Sequence, residues 1–565
     1  MQFFSHPVVA VIILLGLLVS VHEMGHFVVG RMCGIAVEIF SIGFGPTIIS
    51  WRRGVTEYRL SWIPLGGFVK FYGAMPNEEV PEELHGQEFF SAAVWKRCLT
   101  VAAGPVANFL LAVVTYAGMG YHGIPQPPAV IGELMKGSPA ERAGLVFRDK
   151  VVAIDGKVVR NWRDLQKIIV EAANRPISVK VERASGAALV TVTPDTVPDD
   201  EKILRKLKGQ IGISPGHVTS VVTVLDAQGA AGRVGILTGD RVVSVGEGAA
   251  LHDVKYWREF IGAVLTARAA GLTELKVAVR TEVPDAPVEK NPAAPRTVVL
   301  SIADVAANDS NDGVAAALGI THGLLTVYQG KGHEAAPLLQ GDKILKWNGA
   351  TVADAFQLRD VSLANQKQDI VLTVLRQGQT VELPINLKPV EIQRAEGKAY
   401  YYMLPVTFWG QMEQPDPVIE RYDSIVSALT YGVTETAEQT HLVFAAVMGL
   451  FTGDMPLESL GGPISIAKVA SESVRLGWQT FGAALALISI NLGLLNLFPI
   501  PVLDGGQLIL AAVEGMRRRP LTIAAVENYQ KIGFVMVMAL VVMATYNDIS
   551  RFWASMLEGV LGMLQ

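Results

Sequence analysis

Two histidines separated by three residues, with a glutamate after the first, could do chemistry in this chain: His22-Glu23-Met24-Gly25-His26. On a helix, positions i and i+4 share a face, so both imidazoles can bind one zinc ion. Glu23 would lie about 100° around the helix axis and could reach a zinc-bound water as a general base. The spacing predicts zinc-dependent hydrolysis, with His22 and His26 as metal ligands and Glu23 as the catalytic residue.

The motif ends an uncharged apolar run, Pro7 to Val21. Three ionisable groups so close to a membrane span cost several kcal/mol, so such groups are usually functional. Histidines near a membrane face can also be simply interfacial, and that alternative stays open. We predict that the metal motif lies inside a membrane helix.

Composition points to a membrane protein that carries soluble domains. Of 565 residues, 50% are hydrophobic and only 18% are charged. The net charge of −5 argues against a nucleic-acid partner. The only two cysteines, Cys33 and Cys98, lie near the first two apolar runs, so no disulfide framework is expected.

Four apolar segments are long enough to cross a bilayer as helices. The run Leu442 to Phe451 is too short, and we interpret it as an interfacial or buried helix, with a fifth span as the alternative. The predicted spans are 7–29, 99–121, 477–503 and 532–547, with an extension of the last by the amphipathic residues 522–531 as an alternative.

Basic residues predict the orientation of these spans. No Lys or Arg precedes the first span, which also argues against a cleaved signal peptide. Basic residues follow the first span and stand between the third and fourth, and such loops are typically cytoplasmic. The metal motif is then expected toward the cytoplasmic side and the long middle section on the outer side. The basic residues are Arg31, Arg52, Arg53, Lys96, Arg97, Arg517, Arg518 and Arg519.

The middle section contains three similar stretches at a period of roughly 90 to 100 residues. Each begins with a turn of small residues. A strand follows that starts with Gly or Arg, then Asp, then Lys or Arg, and after it come a helix and two more strands. The pattern resembles the bacterial PDZ domain, which binds peptide ends or extended strands at a sheet edge. Peptide capture and simple steric filtering both remain possible roles. The stretches begin at Ser138, Gly229 and Glu334.

Two histidines leave a catalytic zinc one protein ligand short, since a fourth position is kept for water. Asp504 is the one carboxylate of the stretch 496–506, at the end of the third apolar segment, and it stands in a Pro- and Gly-rich context that can turn a side chain inward. We predict Asp504 as the third ligand. A carboxylate at the membrane interface is the alternative.

Six motifs together resemble the site-2 protease family of intramembrane zinc metalloproteases, in order and over nearly the whole chain. The resemblance implies that His22, His26 and Asp504 hold zinc and that Glu23 is the general base. The third PDZ-like unit departs from the two that close bacterial members carry. The motifs are 22–26, Gly43-Phe44-Gly45-Pro46, 63–70, 103–108, 462–468 and 496–505.

The same resemblance implies the residues that bind substrate. Asn491 and Asn496 would line the cleft and hydrogen-bond the substrate backbone. Residues 57–72, which include Gly66 and Gly67, would form a re-entrant β-hairpin whose edge pairs with the substrate. Taken alone, that alternating pattern indicates only an ordinary hairpin.

We therefore expect a multi-domain membrane protein with an α-helical core of about four spans, a re-entrant β-hairpin and three periplasmic PDZ-like α/β domains. The expected function is inner-membrane zinc proteolysis of single-span membrane proteins of the anti-sigma-factor type, and of signal-peptide remnants, after trimming by another protease. A membrane-anchored PDZ scaffold or chaperone with a vestigial metal site is the alternative. The expected boundaries are 1–121 for spans 1 and 2, 122–200, 205–305 and 312–390 for the PDZ-like domains, 415–475 for membrane-associated helices and 476–565 for spans 3 and 4.

Overall fold

The computed structural model describes residues 7–564, apart from 75–77, 184, 198–207, 248–249, 282–293, 329–336, 366, 377, 388, 395–396, 403, 405, 454–459 and 520. The chain forms two compact units. The first combines residues 1–124 with 419–564, and the second comprises residues 125–418. The second unit is thus inserted into the first in sequence.

The first unit contains the apolar helices. In chain order its elements are α1 (Pro7–Met32), β1 (Val37–Arg53), β2 (Thr56–Phe71), a 3₁₀ turn (Glu82–Leu84), α2 (Val94–His122), α9 (Ile425–Thr452), α10 (Pro463–Leu476), α11 (Trp478–Leu497), α12 (Asp504–Arg517) and α13 (Ile523–Leu564). Four helical segments of the described chain are long and apolar enough to cross a membrane, and they overlap the four predicted spans: Val9–Met32, Val94–His122, Trp478–Leu497 and Ala524–Ser550.

Helix α1 turns one side toward the interior. Ala10, Leu14 and Leu18 are fully buried on it, and His22 follows at the same spacing with 6% exposure. Gly25 lies against α2, because a Cβ there would stand 2.3 Å from the carbonyl oxygen of Ala103. Such close approach of backbones is typical of membrane helix pairs. The metal motif therefore faces α2 and not the outside of the bundle.

Strands β1 and β2 form a bent hairpin. Residues 39–42 pair with residues 67–70 on one side and with residues 57–60 on the other, and the distal part of β1 pairs with residues 56–61. Residues 67–71 consequently form an outer edge, and no other strand of the described chain pairs with them. A free strand edge of this kind presents unpaired N–H and C=O groups.

The third predicted span is interrupted. Helix α11 ends at Leu497, where prolines at 499 and 501 cannot supply helical N–H groups, and α12 begins at Asp504. Val502, in the connection, has a φ of 82°, which a β-branched residue rarely adopts. The run Leu442–Phe451 belongs to the longer helix α9, and the fourth span is part of α13, which also contains the proposed extension from residue 523 onward.

The second unit contains three consecutive repeats, flanked by β3 (Ile124–Gln126) and β28 (Val418–Glu420). The first comprises β4 (Glu133–Leu134), α3 (Pro139–Arg142), β5 (Lys150–Ile154), β6 (Lys157–Val158), α4 (Trp162–Val170), β7 (Ile177–Arg183), β8 (Gly186–Val192), β9 (Asp195–Val197), β10 (Lys208–Gln210) and β11 (Ile213–Ser214). Strand β12 (His217–Val218) links it to the second, which comprises β13 (Val222–Val224), α5 (Ala230–Arg233), β14 (Asp240–Glu247), β15 (Ala250–Asp253), α6 (Trp257–Ala269), β16 (Glu274–Thr281), β17 (Arg296–Ser301), α7 (Asn311–Leu318) and β18 (Ile320–His322). After a 3₁₀ turn (Gly323–Leu325), the third comprises β19 (Val327–Tyr328), β20 (Lys343–Trp347), β21 (Ala350–Thr351), α8 (Ala355–Ala364), β22 (Asp369–Arg376), β23 (Gln379–Asn386), β24 (Pro389–Arg394), β25 (Gly397–Tyr402) and β26 (Thr407–Phe408), and β27 (Met412–Glu413) follows.

The three repeats share one strand order. Their four-stranded sheets run β6-β5-β7-β8, β15-β14-β16-β17 and β21-β20-β22-β23, and each has its own apolar core. Each repeat also closes with a short pair, β4 with β11, β13 with β18 and β19 with β26. These closing strands extend every repeat past the ends expected from the sequence, 200, 305 and 390.

A buried aspartate recurs at the start of, or one residue before, the equivalent strands β5, β14 and β20 of the three repeats. Asp149, Asp240 and Asp342 are at most 1% exposed, and each accepts a hydrogen bond from a backbone N–H three residues earlier. Each is also paired with an arginine, Arg183, Arg296 or Arg376. In the second repeat the arginine comes from the neighbouring strand, because Thr281 occupies the register position opposite Asp240.

The first and last residues of the third repeat lie next to each other. A Cβ on Gly323 would stand 2.6 Å from the backbone nitrogen of Gly410, so the two glycines touch back to back. Just outside this contact, β12 pairs with β27. Residues 324–409 therefore form a module whose two ends are adjacent.

Candidate metal centre

Three atoms with lone pairs meet between α1 and α12. Nε2 of His22 lies 3.2 Å from Nε2 of His26 and 3.2 Å from Oδ2 of Asp504, and Nε2 of His26 lies 3.5 Å from the same oxygen. Their side chains are only 8%, 12% and 13% exposed. No other N–H or O–H group of the described residues reaches Oδ2 of Asp504. This is the one cluster of metal-binding residue types found in the described part of the chain.

The spacing of these atoms fits a tetrahedral metal. Zinc binds imidazole nitrogen and carboxylate oxygen at about 2.0–2.2 Å, which places neighbouring ligands of a tetrahedron about 3.3 Å apart. Gly104 of α2 faces the same point, since a Cβ there would stand 2.2 Å from Nε2 of His26 and 2.8 Å from Nε2 of His22. The absent side chain leaves the space that a metal ion requires.

Helix α2 also holds the two imidazoles from behind. Nδ1 of His26 donates to the carbonyl oxygen of Thr100 at 2.8 Å, which leaves Nε2 of the neutral ring with its lone pair. Nδ1 of His22 lies 3.1 Å from the side-chain amide of Asn108, which is fully buried. The sequence assigned no role to Thr100, Gly104 or Asn108, although a polar amide inside an apolar span was a usable signal.

Glu23 lies between the metal ligands and the outer edge of the hairpin. Its Cγ is 3.6 Å from the point where a Cβ on Gly67 would stand. A cavity of about 390 Å³ opens beside it, bounded by the three candidate ligands and by residues of β2, α2 and α12. Its apolar lining includes Phe68, Val69, Phe71, Val101 and Leu510.

Of the remaining residues predicted to bind substrate, one lies at the metal centre and two lie away from it. Nδ2 of Asn496 lies 3.4 Å from Nε2 of His22, so this amide is at the centre. Asn491 is five residues earlier on α11, about 140° around the axis, and no hydrogen bond among the described residues joins it to the cluster. Gly66 packs beneath the ring of Phe44, where a Cβ would stand 2.0 Å from the ring.

A buried ion pair lines the cavity. Nη2 of Arg97 on α2 lies 2.8 Å from Oε2 of Glu514 on α12, with side chains 9% and 10% exposed. Both residues border the cavity. A buried pair contributes little net stability but is costly to break, so it ties α12 to α2 behind Asp504.

The family is decided by comparison with known proteins. The sequence pattern of peptidase family M50 matches residues 10–540. The chain belongs to peptidase family M50. Peptidase family M50 is the site-2 protease family, so the family predicted from the sequence motifs is confirmed.

Individual M50 relatives align over nearly their whole length. A Vibrio cholerae protein provisionally named a zinc metalloprotease is 28% identical, covering 96% of this chain and 98% of its own. Protease RseP of Yersinia pestis is also 28% identical over the same shares. The regulator of sigma E protease of Haemophilus influenzae is 29% identical, again over 96% and 98%.

Membership of the M50 family confirms the prediction of a protease of the site-2 type. The four apolar helices, together with bacterial relatives that match end to end, make the chain a bacterial membrane protein. The individual residue roles, the PDZ identity of the repeats and the re-entrant position of the hairpin stay predictions.

Proposed function

We propose that this protein is an intramembrane zinc endopeptidase in which His22, His26 and Asp504 hold the metal and Glu23 is the general base. The observation that carries the proposal is the convergence of three ligand atoms at 3.2–3.5 Å, with Glu23 beside them and Gly104 leaving the space. Relatives named as zinc metalloproteases support zinc as the metal.

When bound, zinc polarises the scissile carbonyl and lowers the pKa of a coordinated water. Glu23 takes the proton from the attacking water and passes it to the leaving amine nitrogen, so one carboxylate acts as base and then as acid. Its place beside the cavity gives it access to both partners. Asn496, within 3.4 Å of His22, can donate an amide hydrogen to the substrate carbonyl oxygen.

The substrate must be extended before it can be cut, because a helix keeps its amides in internal hydrogen bonds. The outer edge at 67–71 provides backbone partners for an extended strand, as in β-strand addition. Gly67 lies in this edge next to Glu23, which brings the paired strand to the general base. The re-entrant hairpin and the cleft role of Asn491 belong to this proposal.

We propose single-span membrane proteins as substrates, of the anti-sigma-factor type or signal-peptide remnants, already trimmed by another protease. Relatives named as regulators of sigma E support this class. The basic loops favour a cytoplasmic-side metal centre in an inner membrane. The three repeats are then periplasmic PDZ-like domains that exclude substrates with large outer domains.

The catalytic proposal is tested with the purified protein in a bilayer and a model transmembrane substrate. Glu23→Gln should abolish cleavage while zinc remains bound, because the ligands are unchanged. Glu83→Gln is the matched control, since Glu83 is an exposed glutamate in the turn after β2. Undiminished cleavage by Glu23→Gln would refute the mechanism. A wild-type protein that binds no zinc and cleaves nothing would instead favour a scaffold with a vestigial site.

The filter proposal is tested by removing residues 324–409, which joins Gly323 directly to Gly410. Because these glycines already touch, the closing pair β13–β18 of the second repeat remains intact. The shortened protein should cleave substrates with larger outer domains than the full chain accepts. An unchanged size limit would contradict a filtering role for the third repeat.

A further inference from the structure

One face of α2 supports the metal centre at three successive turns. Thr100 accepts from His26 through its carbonyl oxygen, Gly104 leaves the metal space open, and Asn108 contacts His22. The three positions are four residues apart, so they lie along one side of the helix. The side chain of Asn108 is the member of this stripe whose hydrogen bonding is incomplete.

Asn108 has a buried oxygen without a partner. Its Nδ2 lies 3.1 Å from Nδ1 of His22, while Oδ1 is buried and receives no hydrogen bond from the described residues. A buried acceptor without a donor costs about 1–3 kcal/mol. A half-turn of the amide about its Cβ–Cγ bond exchanges the nitrogen and oxygen without other movement.

Metal binding requires that half-turn. A neutral imidazole that offers the Nε2 lone pair to a metal carries its proton on Nδ1. That N–H of His22 must then be donated to an acceptor, and Oδ1 of Asn108 becomes the group that faces it. The same rotation satisfies both the imidazole N–H and the orphaned oxygen.

We propose that Asn108 is a positioning residue for the metal centre: its side-chain oxygen accepts the Nδ1–H of His22 and holds Nε2 toward the metal. The inference rests on the proposed zinc site. Metal-binding histidines usually donate their second N–H in this way, and loss of the acceptor weakens metal binding by about 10- to 100-fold.

Ser489 on α11 provides a matched control. Its hydroxyl donates to the backbone carbonyl of Asn108 at 2.8 Å and is fully buried. Ser489→Ala therefore disturbs packing at the same residue of α2 while leaving the amide side chain in place. A role of Asn108 in packing alone would make this variant resemble the loss of the amide.

The test measures zinc affinity of the full-length protein in detergent by competition with a chromophoric chelator, and not cleavage. Asn108→Leu, which keeps the size but removes the acceptor, should bind zinc about 10- to 100-fold more weakly than the wild type. Asn108→Asp keeps an acceptor oxygen and should restore most of the affinity. Ser489→Ala should match the wild type, and Asn108→Ala replaces the leucine variant if that one does not fold.

The outcomes distinguish a failure of this inference from a failure of the proposed zinc site. A wild type that binds no zinc overturns the metal site itself. Wild-type affinity in Asn108→Leu, or in Asn108→Ala where that variant replaces it, overturns only the positioning role. Equal weakening in Asn108→Asp and Asn108→Leu, or in Ser489→Ala, assigns Asn108 to packing and also overturns it.

Discussion

Replacement of Gly104 by alanine should empty the metal centre without unfolding the protein. The new Cβ would stand 2.2 Å from Nε2 of His26, whereas ordinary contact begins near 3.4 Å. The imidazole would have to retreat by about 1.2 Å, several times the roughly 0.2 Å tolerance of a metal–ligand distance. The methyl group would also stand 2.8 Å from Nε2 of His22, so it would crowd both imidazoles that would hold the metal. Zinc content should fall from about one ion per chain to below about a tenth.

Helix stability does not oppose this substitution, since alanine in a helix interior is favoured over glycine by about 0.5–1 kcal/mol. Gly118→Ala is the control, because Gly118 lies on the same helix and a Cβ there meets nothing within 4 Å. Elemental analysis of the purified variants gives the zinc content, and thermal unfolding of the metal-free forms checks the fold. Stoichiometric zinc in Gly104→Ala would refute the geometry of the centre.

Three further predictions probe the rest of the fold. Arg376→Met should cost about 3 kcal/mol, because it leaves Asp342 buried and unpaired, and hydrogen exchange should report faster opening of the third repeat. Burial lowers the pKa of His322 to about 4 from an unfolded value of 6.5, so the second repeat should lose up to about 3 kcal/mol as pH falls through that range. His322→Asn should flatten this dependence in thermal unfolding, and an unchanged slope would contradict it. Arg97→Met should lower the melting temperature more than Arg97→Met combined with Glu514→Met, since only the single variant leaves a buried charge; equal losses would contradict this.

Much of the candidate site follows from residue types alone. The histidine spacing needs only helix geometry, and Asp504 was indicated by being the one carboxylate in an apolar segment beside helix-breaking prolines. The structure brings these residues together, although their binding of zinc stays a prediction. The supporting role of α2 was missed. The amide of Asn108 inside an apolar span was a signal of function, but nothing in the sequence says which face of α2 turns toward α1.

The fold was predictable where its pattern is long and periodic. Four apolar segments and three repeats each have a strong signal, and each repeat forms its own four-stranded sheet. The closing strands of the repeats were missed, because strands of two or three residues, such as β11, have no measurable alternation. The double pairing of residues 39–42 was missed as well, since a bend within one strand depends on long-range contacts.

The position of Asp504 in the chain has a consequence for biosynthesis. His22 and His26 are made first, and the third ligand follows only after the whole second unit and α11 have been synthesised. A growing chain on the ribosome therefore has two imidazoles in its first helix but no complete centre. Under the proposed mechanism, the enzyme cannot cut its neighbours in the membrane until α12 has been made and has packed against α1.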